Sequence, residues 1–176
     1  MPQLIKNGAV VDDPWTLRRE IASPAELGSG TSEIVPLAFW LANRDALLAR
    51  GNLGVWLAPD DDPAALGADV GALPLIAVDF PKFTDGRGYS IGRLLRDRHR
   101  FSGELRAIGD ILRDQLYALA ECGFDAFDIR ADRDATEALS GLRDFDGIYA
   151  STSRTPQPWF RRRKEASGQG SAADSE

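Results

Sequence analysis

The sequence contains a single cysteine, Cys122, and a single histidine, His99. One cysteine cannot form an intramolecular disulfide or a CxxC redox pair, and these two residues cannot supply an all-protein iron–sulfur or Cys/His zinc site. The chain also has neither a Walker loop nor a GxGxxG dinucleotide fingerprint. The sequence therefore predicts no resident metal and leaves the cofactor unknown, with a carboxylate-held magnesium ion still open.

Basic residues and long apolar runs are also scarce. Lys and Arg total 21 against 27 Asp and Glu, which gives a net charge of -6 at pH 7. Such a balance argues against a general nucleic-acid or anionic-membrane binder, because phosphate-rich partners attract basic surfaces. No apolar run is long enough to span a bilayer, and the first residues lack the pattern of a signal peptide. We therefore expect a cytoplasmic protein without a nucleic-acid or membrane partner.

The length and composition predict one folded domain followed by a tail. A chain of 176 residues with 43% hydrophobic residues can bury a substantial core, which we place in residues 1–153. Residues 154–176 are rich in Gly, Ser and charge, so we expect them to be disordered. Within this tail, the aromatic-basic run Trp159–Lys164 is either a docking peptide for an acidic partner or a hydrated tail with one packed Trp.

Apolar runs alternate with amphipathic stretches through the middle of the chain, with strand starts about every twenty residues. The runs predicted as strands are Ile34–Leu41, Leu53–Leu57, Leu75–Phe80, Leu105–Ile108 and Ala126–Ile129. The stretches predicted as helices are Asp45–Ala49, Pro63–Val70, Ser90–Arg98, Asp110–Glu121 and Asp134–Leu142. This rhythm predicts an α/β fold in which βα units form a mainly parallel sheet flanked by helices. The alternative is a partial barrel resembling part of a TIM barrel, and a homodimer that completes the sheet is also open.

The N-terminal third carries weaker signals. Asn7-Gly8 between two short apolar runs predicts a small hairpin with a type I′ turn at the edge of the core. A connecting segment follows, with a possible short helix around Trp15–Ile21. We favour a strand for the whole of Ile34–Leu41, although Pro36 could equally open a helix.

The junction Asp79–Ser90 is the leading candidate site, because ligands of parallel sheets bind beyond the carboxyl ends of the strands. Glycines allow close approach, cations neutralise an oxyanion, and Ser90 could cap the following helix. The next junction, Arg106–Gln115, should open onto the same edge of the sheet. The residues predicted to bind an anion are Lys82, Gly86, Arg87, Gly88, Tyr89, Ser90, Arg113 and Gln115, and the candidate catalytic carboxylates are Asp79, Asp85 and Asp110.

Each of these residues also has a purely structural interpretation. The first junction could be a tight turn in which Asp85 pairs with Arg87 and Tyr89 packs on the sheet. For Asp110 a helix N-cap is the favoured interpretation. The run Asp60–Asp62 before Pro63 indicates capping more than metal binding.

The two remaining reactive residues also favour structural roles. His99 lies between two arginines at a predicted helix end, which indicates a surface position. Cys122 precedes Gly123, and we expect its thiol to pack in the core, with contact to a sulfur substrate as the open alternative.

The segment Leu75–Arg130, with the phrases Asp79–Ser90, Gly103–Asp110 and Asp114-Gln115, resembles the bacterial family called domain of unknown function 934. Gly54–Leu57 adds to the resemblance. Members are described as oxidoreductases involved in sulfite reduction, so the resemblance implies a place in sulfur assimilation. It transfers no catalytic residue, and the oxidoreductase description fits poorly with the missing redox motifs. Flavin binding without a short motif remains open.

Two functions follow as expectations from the resemblance and the site. The first is an accessory protein of assimilatory sulfite reduction that binds a small oxyanion, the sulfite reductase or another sulfur-assimilation enzyme through residues 79–90. The second is an enzyme acting on a sulfur oxyanion or a phosphorylated metabolite. A deep pocket joining Asp79, Lys82, Arg87, Asp110 and Arg113 would favour the enzyme, and a flat surface would favour the accessory role.

Overall fold

A computed structural model describes residues 3–130, 132–143 and 152 of the chain. The strands of this part form one sheet; they are β1 (Gln3–Lys6), β2 (Ala9–Asp12), β3 (Trp15–Leu17), β4 (Ser32–Pro36), β5 (Leu53–Leu57), β6 (Leu75–Phe80), β7 (Glu104–Gly109) and β8 (Ala126–Phe127). The helices are α1 (Leu37–Leu47), α2 (Arg87–Asp97), α3 (Leu116–Glu121) and α4 (Ala135–Ala138). Turns of 3-10 helix occupy Pro24–Glu26, Leu48–Arg50, Pro63–Gly71, Arg113–Gln115 and Leu139–Arg143.

The strand order is β2-β1-β8-β7-β6-β5-β4-β3. Strands β3 to β8 are parallel and follow one another in chain order, whereas β1 is antiparallel to both β2 and β8. The α/β prediction is therefore confirmed, with a mixed sheet curled into a half-barrel. Because the order of the parallel strands never reverses, the sheet lacks the switch-point crevice of a doubly wound fold. Its architecture corresponds to the partial-barrel alternative.

The two edge strands of the sheet, β2 and β3, are joined by only Asp13 and Pro14. Consecutive Cα atoms are 3.8 Å apart, so Asp12 and Trp15 lie within about 11 Å of each other. A flat sheet of this width could not bring its edges so close. The short link therefore requires the curl of the sheet, and the concave face becomes an interior.

Apolar side chains divide between the two faces of the sheet, because successive residues of a strand point to opposite sides. On β6, Val78 and Phe80 belong to the large core that also contains the buried residues of α1 to α4. Leu75 and Ala77 belong to a smaller concave cluster, which contains no helical residue among those described. The helices thus cover the convex face, and the concave face is closed by the curl itself.

The structure corrects two predictions near the N-terminus. The segment predicted as a short helix around Trp15–Ile21 begins with β3, which pairs in parallel with β4. The predicted strand Ile34–Leu41 ends at Pro36, and α1 begins at Leu37. Proline lacks an N–H and has a fixed φ, which suits a boundary between strand and helix.

The hairpin predicted at Asn7-Gly8 is confirmed, and two helix ends show equally local features. Asn7 and Gly8 form the turn of the β1–β2 hairpin with φ of 50° and 77°. Asp134 caps α4, accepting hydrogen bonds from the backbone N–H groups of Thr136 and Glu137. Gly123 follows the C-cap of α3 with φ of 99°. These signals are local, so they needed no knowledge of the tertiary fold.

Helix α2 begins three residues earlier than predicted, at Arg87, with Gly86 as its N-cap. Ser90 therefore lies inside the helix and is not its cap. The Gly86 backbone takes the cap position without a side-chain hydrogen bond. None of the described helices is long and apolar enough to cross a membrane. The tail 154–176, with the Trp159–Lys164 run, lies outside the described residues.

Candidate functional site

A cavity of about 530 Å³ opens at the carboxyl ends of β6 and β7. This is the edge at which barrel-like folds place their ligands, because the loops that follow the strands converge there. We call it the carboxyl-end cavity; it is lined by Arg19, Asp79, Pro81, Gly109, Asp110 and Arg130. Two of the predicted catalytic carboxylates, Asp79 and Asp110, thus meet in one place.

Asp79 reaches the cavity from the concave face of β6 and is only 8% exposed. The Nη1 atom of Arg19 lies 2.8 Å from its Oδ1 atom. The pair meets the distance of an ion pair but not the angle of a hydrogen bond, so Oδ1 is buried without a hydrogen-bond donor. Among the described residues, no other group donates a hydrogen bond to this carboxylate. Such an unsatisfied buried acceptor is uncommon.

Arg19 follows β3 and carries the main cationic group available to a ligand. Its guanidinium lies over the Trp56 ring, 5.3 Å from the ring centroid. The indole Nε1 of Trp56 donates a 3.0 Å hydrogen bond to the carbonyl of Arg18, which fixes the stack. The Arg19 side chain is 45% exposed, and Asp79 is its only ion-pair partner among the described residues. Several N–H donors of Arg19 therefore remain for a ligand.

Gly109 lets the chain turn sharply at the end of β7. Its φ is +101°, a conformation that residues with a Cβ rarely adopt. A Cβ at this position would lie 2.5 Å from the carbonyl oxygen of Phe80 and 2.8 Å from Oδ1 of Asp79. The next residue, Asp110, donates its N–H to the Phe80 carbonyl at 2.7 Å. Glycine is thus required for the close approach that positions Asp79.

Arg130 is already neutralised by acidic neighbours. Its Nη1 donates to Oδ1 of Asp110 at 3.1 Å, and its Nε and Nη2 donate to both oxygens of Asp132 at 2.8 and 2.7 Å. These contacts raise the pKa of Arg130 and lower the pKa of Asp132. Arg130 therefore serves mainly to hold the wall of the cavity together. Little of its positive charge remains for a ligand.

The predicted N-cap role of Asp110 is wrong. Its Oδ2 accepts a 2.9 Å hydrogen bond from the backbone N–H of Phe83, and the following 3-10 helix begins at Arg113 with Leu112 as N-cap. Asp110 therefore joins the loop after β6 to the end of β7. Asp110 thus connects the ends of β6 and β7, whereas the N-cap of a helix bonds to the first turn of its own helix.

The concave face below the cavity carries a row of charged residues. Arg106 is 2% exposed and lies 2.7 Å from both Asp13 and Glu104, and Lys6 lies 2.7 Å from the other oxygen of Glu104. Asp128, just beyond β8, has its pKa raised by burial, with Arg106 and Arg19 lowering it and Asp13 raising it further. Arg19 thus interacts electrostatically with both Asp128 and Asp79. A carboxyl that keeps its proton to higher pH can serve as a general acid or base.

The residues of this junction that were predicted to bind the anion, Lys82 and Gly86 to Ser90, lie outside the lining of this cavity, although Asp79 and Pro81 of the same junction line it. Arg87 donates from Nε and Nη2 to both oxygens of Asp85, at 2.9 and 2.6 Å, and its Nη1 pairs with Asp60. The Arg87 guanidinium lowers the pKa of Asp85 to about 2. The turn with an internal Asp85–Arg87 pair, our structural alternative, is what the chain forms. Lys82 is exposed beside it.

The other predicted residues of this loop have packing roles. A Cβ on Gly88 would lie 2.5 Å from the Phe80 ring, whereas one on Gly86 would meet nothing within 4 Å. Tyr89 packs edge-on against Phe80 with ring centroids 5.4 Å apart, and burial raises its pKa. Ser90 is exposed on α2. Gly86 and Gly88 do not line the carboxyl-end cavity, so a ligand bound in that cavity would not contact their backbone.

Arg113 and Gln115 lie in two further places. Arg113 lines a separate cavity of about 240 Å³ together with Asp134, the N-cap of α4, and Glu137 of α4. The Nε of Arg113 donates to Oγ of Ser140 at 3.0 Å. Gln115 is buried, and its Oε1 accepts from the Leu112 N–H at 3.0 Å. The residues predicted from sequence are thus divided among four locations.

The acidic run and the single cysteine have structural roles. Asp62 caps the 3-10 helix Pro63–Gly71 through the N–H of Ala64, as predicted. Burial raises the pKa of the half-buried Cys122 thiol, which lowers its reactivity. The described residues include no group of three or more His, Cys, Asp and Glu side chains that could hold a metal ion.

Sequence reasoning missed Arg19, Gly109, Arg130 and Asp128. The rule that ligands bind at strand ends could have found both Asp128 and Arg130, since Asp128 lies near the end of the last predicted strand, Ala126–Ile129, and Arg130 follows it. It could not have found Arg19, because the segment Trp15–Ile21 was assigned to a helix. Only the curl of the sheet brings the end of β3 to the end of β6.

Comparison with known proteins gives one match. The family model described as a bacterial protein of unknown function (DUF934) matches residues 54–160, more than half of the chain. No curated protein and no solved structure matches the chain. The matched range includes β5 to β8 and most of the carboxyl-end cavity, whereas Arg19 precedes it.

Proposed function

Because the chain belongs to the DUF934 family of bacterial proteins, whose function is unknown, we propose a function from its site. We propose that the protein binds a small oxyanion in the carboxyl-end cavity and acts as an accessory protein of assimilatory sulfite reduction. The observation that carries the binding proposal is Arg19, a half-exposed guanidinium stacked on Trp56 with unused donors facing a cavity.

A guanidinium presents several N–H donors in one plane, which matches the oxygens of sulfite, sulfate or phosphate. Stacking on Trp56 reduces the rotamer freedom that Arg19 would lose on binding. Arg130 also lines the cavity, but Asp110 and Asp132 already bond to it, so Arg19 is the cation that remains for a small ligand. The cavity therefore favours a small anion over a large polyanion.

The link to sulfite reduction rests on the family resemblance of the sequence and is the less direct half of the proposal. Phe83 supports a protein partner such as sulfite reductase, because the residue is 47% exposed and is hydrogen-bonded to Asp110, which lines the cavity. Its backbone is held in place by Asp110 and Gln115. An exposed aromatic residue on an anchored backbone is a typical centre of a protein interface.

An enzyme acting on a sulfur oxyanion or phosphorylated metabolite is the second candidate. The observation that favours it is that Arg19 pairs with Asp79 and also interacts electrostatically with Asp128, whose pKa is raised by burial. A carboxyl with a raised pKa and an ion-paired carboxylate are the kinds of group that supply an acid and a base. Turnover of a bound anion would distinguish this candidate from the accessory role.

The test is isothermal titration of the purified protein with sulfite, sulfate, phosphate and adenylyl sulfate. We expect saturable binding of at least one anion, with at least about tenfold weaker binding in Arg19→Gln, the loss expected for a charged hydrogen bond. Arg87→Gln is the matched control, because it removes an arginine of the loop outside the cavity. Loss in Arg87→Gln alone would move the site to residues 82–90, and no binding of any anion would overturn the binding proposal.

The reductase half of the proposal needs its own measurement. We expect the protein to bind purified sulfite reductase in a surface-plasmon assay, with weaker binding for Phe83→Ser. Leu94→Ser, an exposed leucine on α2, serves as the control because its side chain is similarly exposed at 40%. Absence of binding by the wild-type protein would overturn the accessory role and leave the enzyme as the candidate.

A further inference from the structure

The carboxyl-end cavity contains an acceptor that a fully ionised anion cannot satisfy. Asp79 is more than nine-tenths buried, lines the cavity, and has an Oδ1 atom without a hydrogen-bond donor. A simple anion trap would surround its ligand with donors only. Here a carboxylate lies beside the guanidinium of Arg19, with a separation of 2.8 Å between Nη1 and Oδ1.

We infer that the carboxyl-end cavity selects protonated oxyanions, such as hydrogenphosphate or hydrogensulfite, and discriminates against sulfate. This inference rests on the oxyanion binding proposed above. The bound anion accepts hydrogen bonds from Arg19 and donates its own proton-bearing group to Asp79. Both polar groups of the cavity are then satisfied by one small ligand.

The physical basis is the different proton content of these anions near neutral pH. Near neutral pH all of the phosphate keeps at least one proton and part of the sulfite keeps one, whereas sulfate is fully ionised. A sulfate oxygen placed against the Asp79 carboxylate would bring two acceptors together without a hydrogen, which is repulsive. Leaving a buried acceptor unsatisfied costs more free energy than a typical hydrogen bond contributes. The presence or absence of one proton can therefore decide which of two anions of similar size and shape binds.

The charged groups around the cavity favour selection of particular anions over a general attraction of anions. Arg19 and Arg130 are balanced by Asp79 and Asp110, and Asp132 adds a further negative charge beside Arg130. An anion therefore gains little from net charge. Its affinity depends on matching individual donors and acceptors, and this is the condition under which one carboxylate can control specificity.

Gly109 keeps the discriminating carboxylate in position. With a φ of +101°, the chain passes so close that a Cβ would lie 2.8 Å from Oδ1 of Asp79. The Gly109 backbone therefore lies close to the carboxylate and limits its rotation toward β7. A movable side chain would accommodate both kinds of anion, whereas a fixed one rejects the one that lacks a proton.

The experiment compares phosphate, sulfite and sulfate by isothermal titration on the full-length protein at one neutral pH and equal ionic strength. We expect the wild-type protein to bind phosphate and sulfite at least about tenfold more tightly than sulfate, the factor for one charged hydrogen bond. Asp79→Asn removes the negative charge and supplies an amide donor, so its preference should disappear or reverse. Asp85→Asn is the matched control and should keep the wild-type preference.

The outcomes separate this inference from the proposed function. Similar affinity of the wild-type protein for sulfate and phosphate would overturn the selection of protonated anions while leaving oxyanion binding intact. An unchanged preference in folded Asp79→Asn would overturn the role of Asp79. No binding of any of the three anions would overturn the proposed binding and this inference together. The wild-type comparison decides the inference even if a variant fails to fold.

Discussion

Asp13 and Arg106 are 93 positions apart in the sequence, yet Nη1 of Arg106 lies 2.7 Å from Oδ2 of Asp13 inside the curled sheet. Asp13 belongs to the two-residue link between the edge strands, and Arg106 lies on the central strand β7. The Trp15 N–H also donates to Oδ1 of Asp13 at 3.1 Å. This ion pair therefore fastens the chain across the concave face at the point where the sheet curls.

Breaking this pair should destabilise the protein strongly. We expect Arg106→Met to lower the free energy of unfolding by about 3–5 kcal/mol, because it leaves buried carboxylates without their partner. Arg133→Met is the control, since its side chain is 62% exposed and 3.9 Å from Asp132; it should cost less than about 1 kcal/mol. Urea unfolding at neutral pH measures both. Equal stability of the two variants would mean that the curl does not depend on Arg106.

Arg96 should be required for its geometry and not only for its charge. It donates to the carbonyls of Phe101, Gly103 and Gly123 at 2.6 to 2.8 Å, and to Oδ2 of Asp125 at 2.7 Å. We expect Arg96→Ala to cost about 2–4 kcal/mol, because several carbonyls lose their donor at once.

Lysine at position 96 should recover less than half of this loss, since an ammonium group cannot reach acceptors spread around a planar guanidinium. Thermal unfolding of the two variants beside wild type checks the expectation. Full rescue by lysine would show that only the charge matters.

Asp69 should make stability fall in acid. It is buried and accepts hydrogen bonds from Nε of Arg44 at 2.6 Å and from Nε1 of Trp40 at 3.2 Å. The Arg44 hydrogen bond lowers the pKa of Asp69 below its ordinary value. The folded state thus binds this proton less readily than the unfolded state, so the stabilisation is complete above the unfolded-state pKa of about 3.9 and is lost as pH falls through the lower native pKa.

The measurement for Asp69 is a series of urea unfolding curves from neutral pH into acid. We expect Asp69→Asn to be less stable than wild type at neutral pH and to lose less further stability in acid. Asp45→Asn provides a comparison, because this fully exposed carboxylate lies 3.8 Å from the same arginine. Parallel acid profiles for wild type and Asp69→Asn would contradict the assignment.

Gly109→Ala should impair the site more than a glycine replacement elsewhere. Its Cβ would collide with the Phe80 carbonyl and with Asp79, so we expect about 1–3 kcal/mol of lost stability and at least about tenfold weaker phosphate binding. Gly30→Ala has a comparable positive φ of +80° but meets nothing within 4 Å. It should lose some stability and keep its phosphate affinity. Titration and unfolding of both variants separate backbone strain from the effect on Asp79.

Local signals in the sequence were sufficient for much of the fold. Asn7-Gly8, the Asp134 cap and Gly123 each act within a few residues, so their conformations follow from short-range sterics and hydrogen bonding. The strand Leu75–Phe80 was predicted within its observed bounds, because it is buried on both faces and therefore apolar along most of its length. The same turn, helix cap and strand would be expected from these short segments in many different folds.

The sequence by itself thus determined an α/β chain with its carboxylates Asp79 and Asp110 at neighbouring strand ends, and it ruled out cysteine-based redox and metal centres by counting. Only the tertiary structure decided that β3 is a strand, that the sheet curls, and that Arg19 rather than Arg87 lies beside Asp79. The physical reason is the range of the interactions. Caps, turns and apolar periods depend on neighbours in sequence, whereas the cavity depends on a curl that brings residues 60 positions apart, such as Arg19 and Asp79, within 2.8 Å.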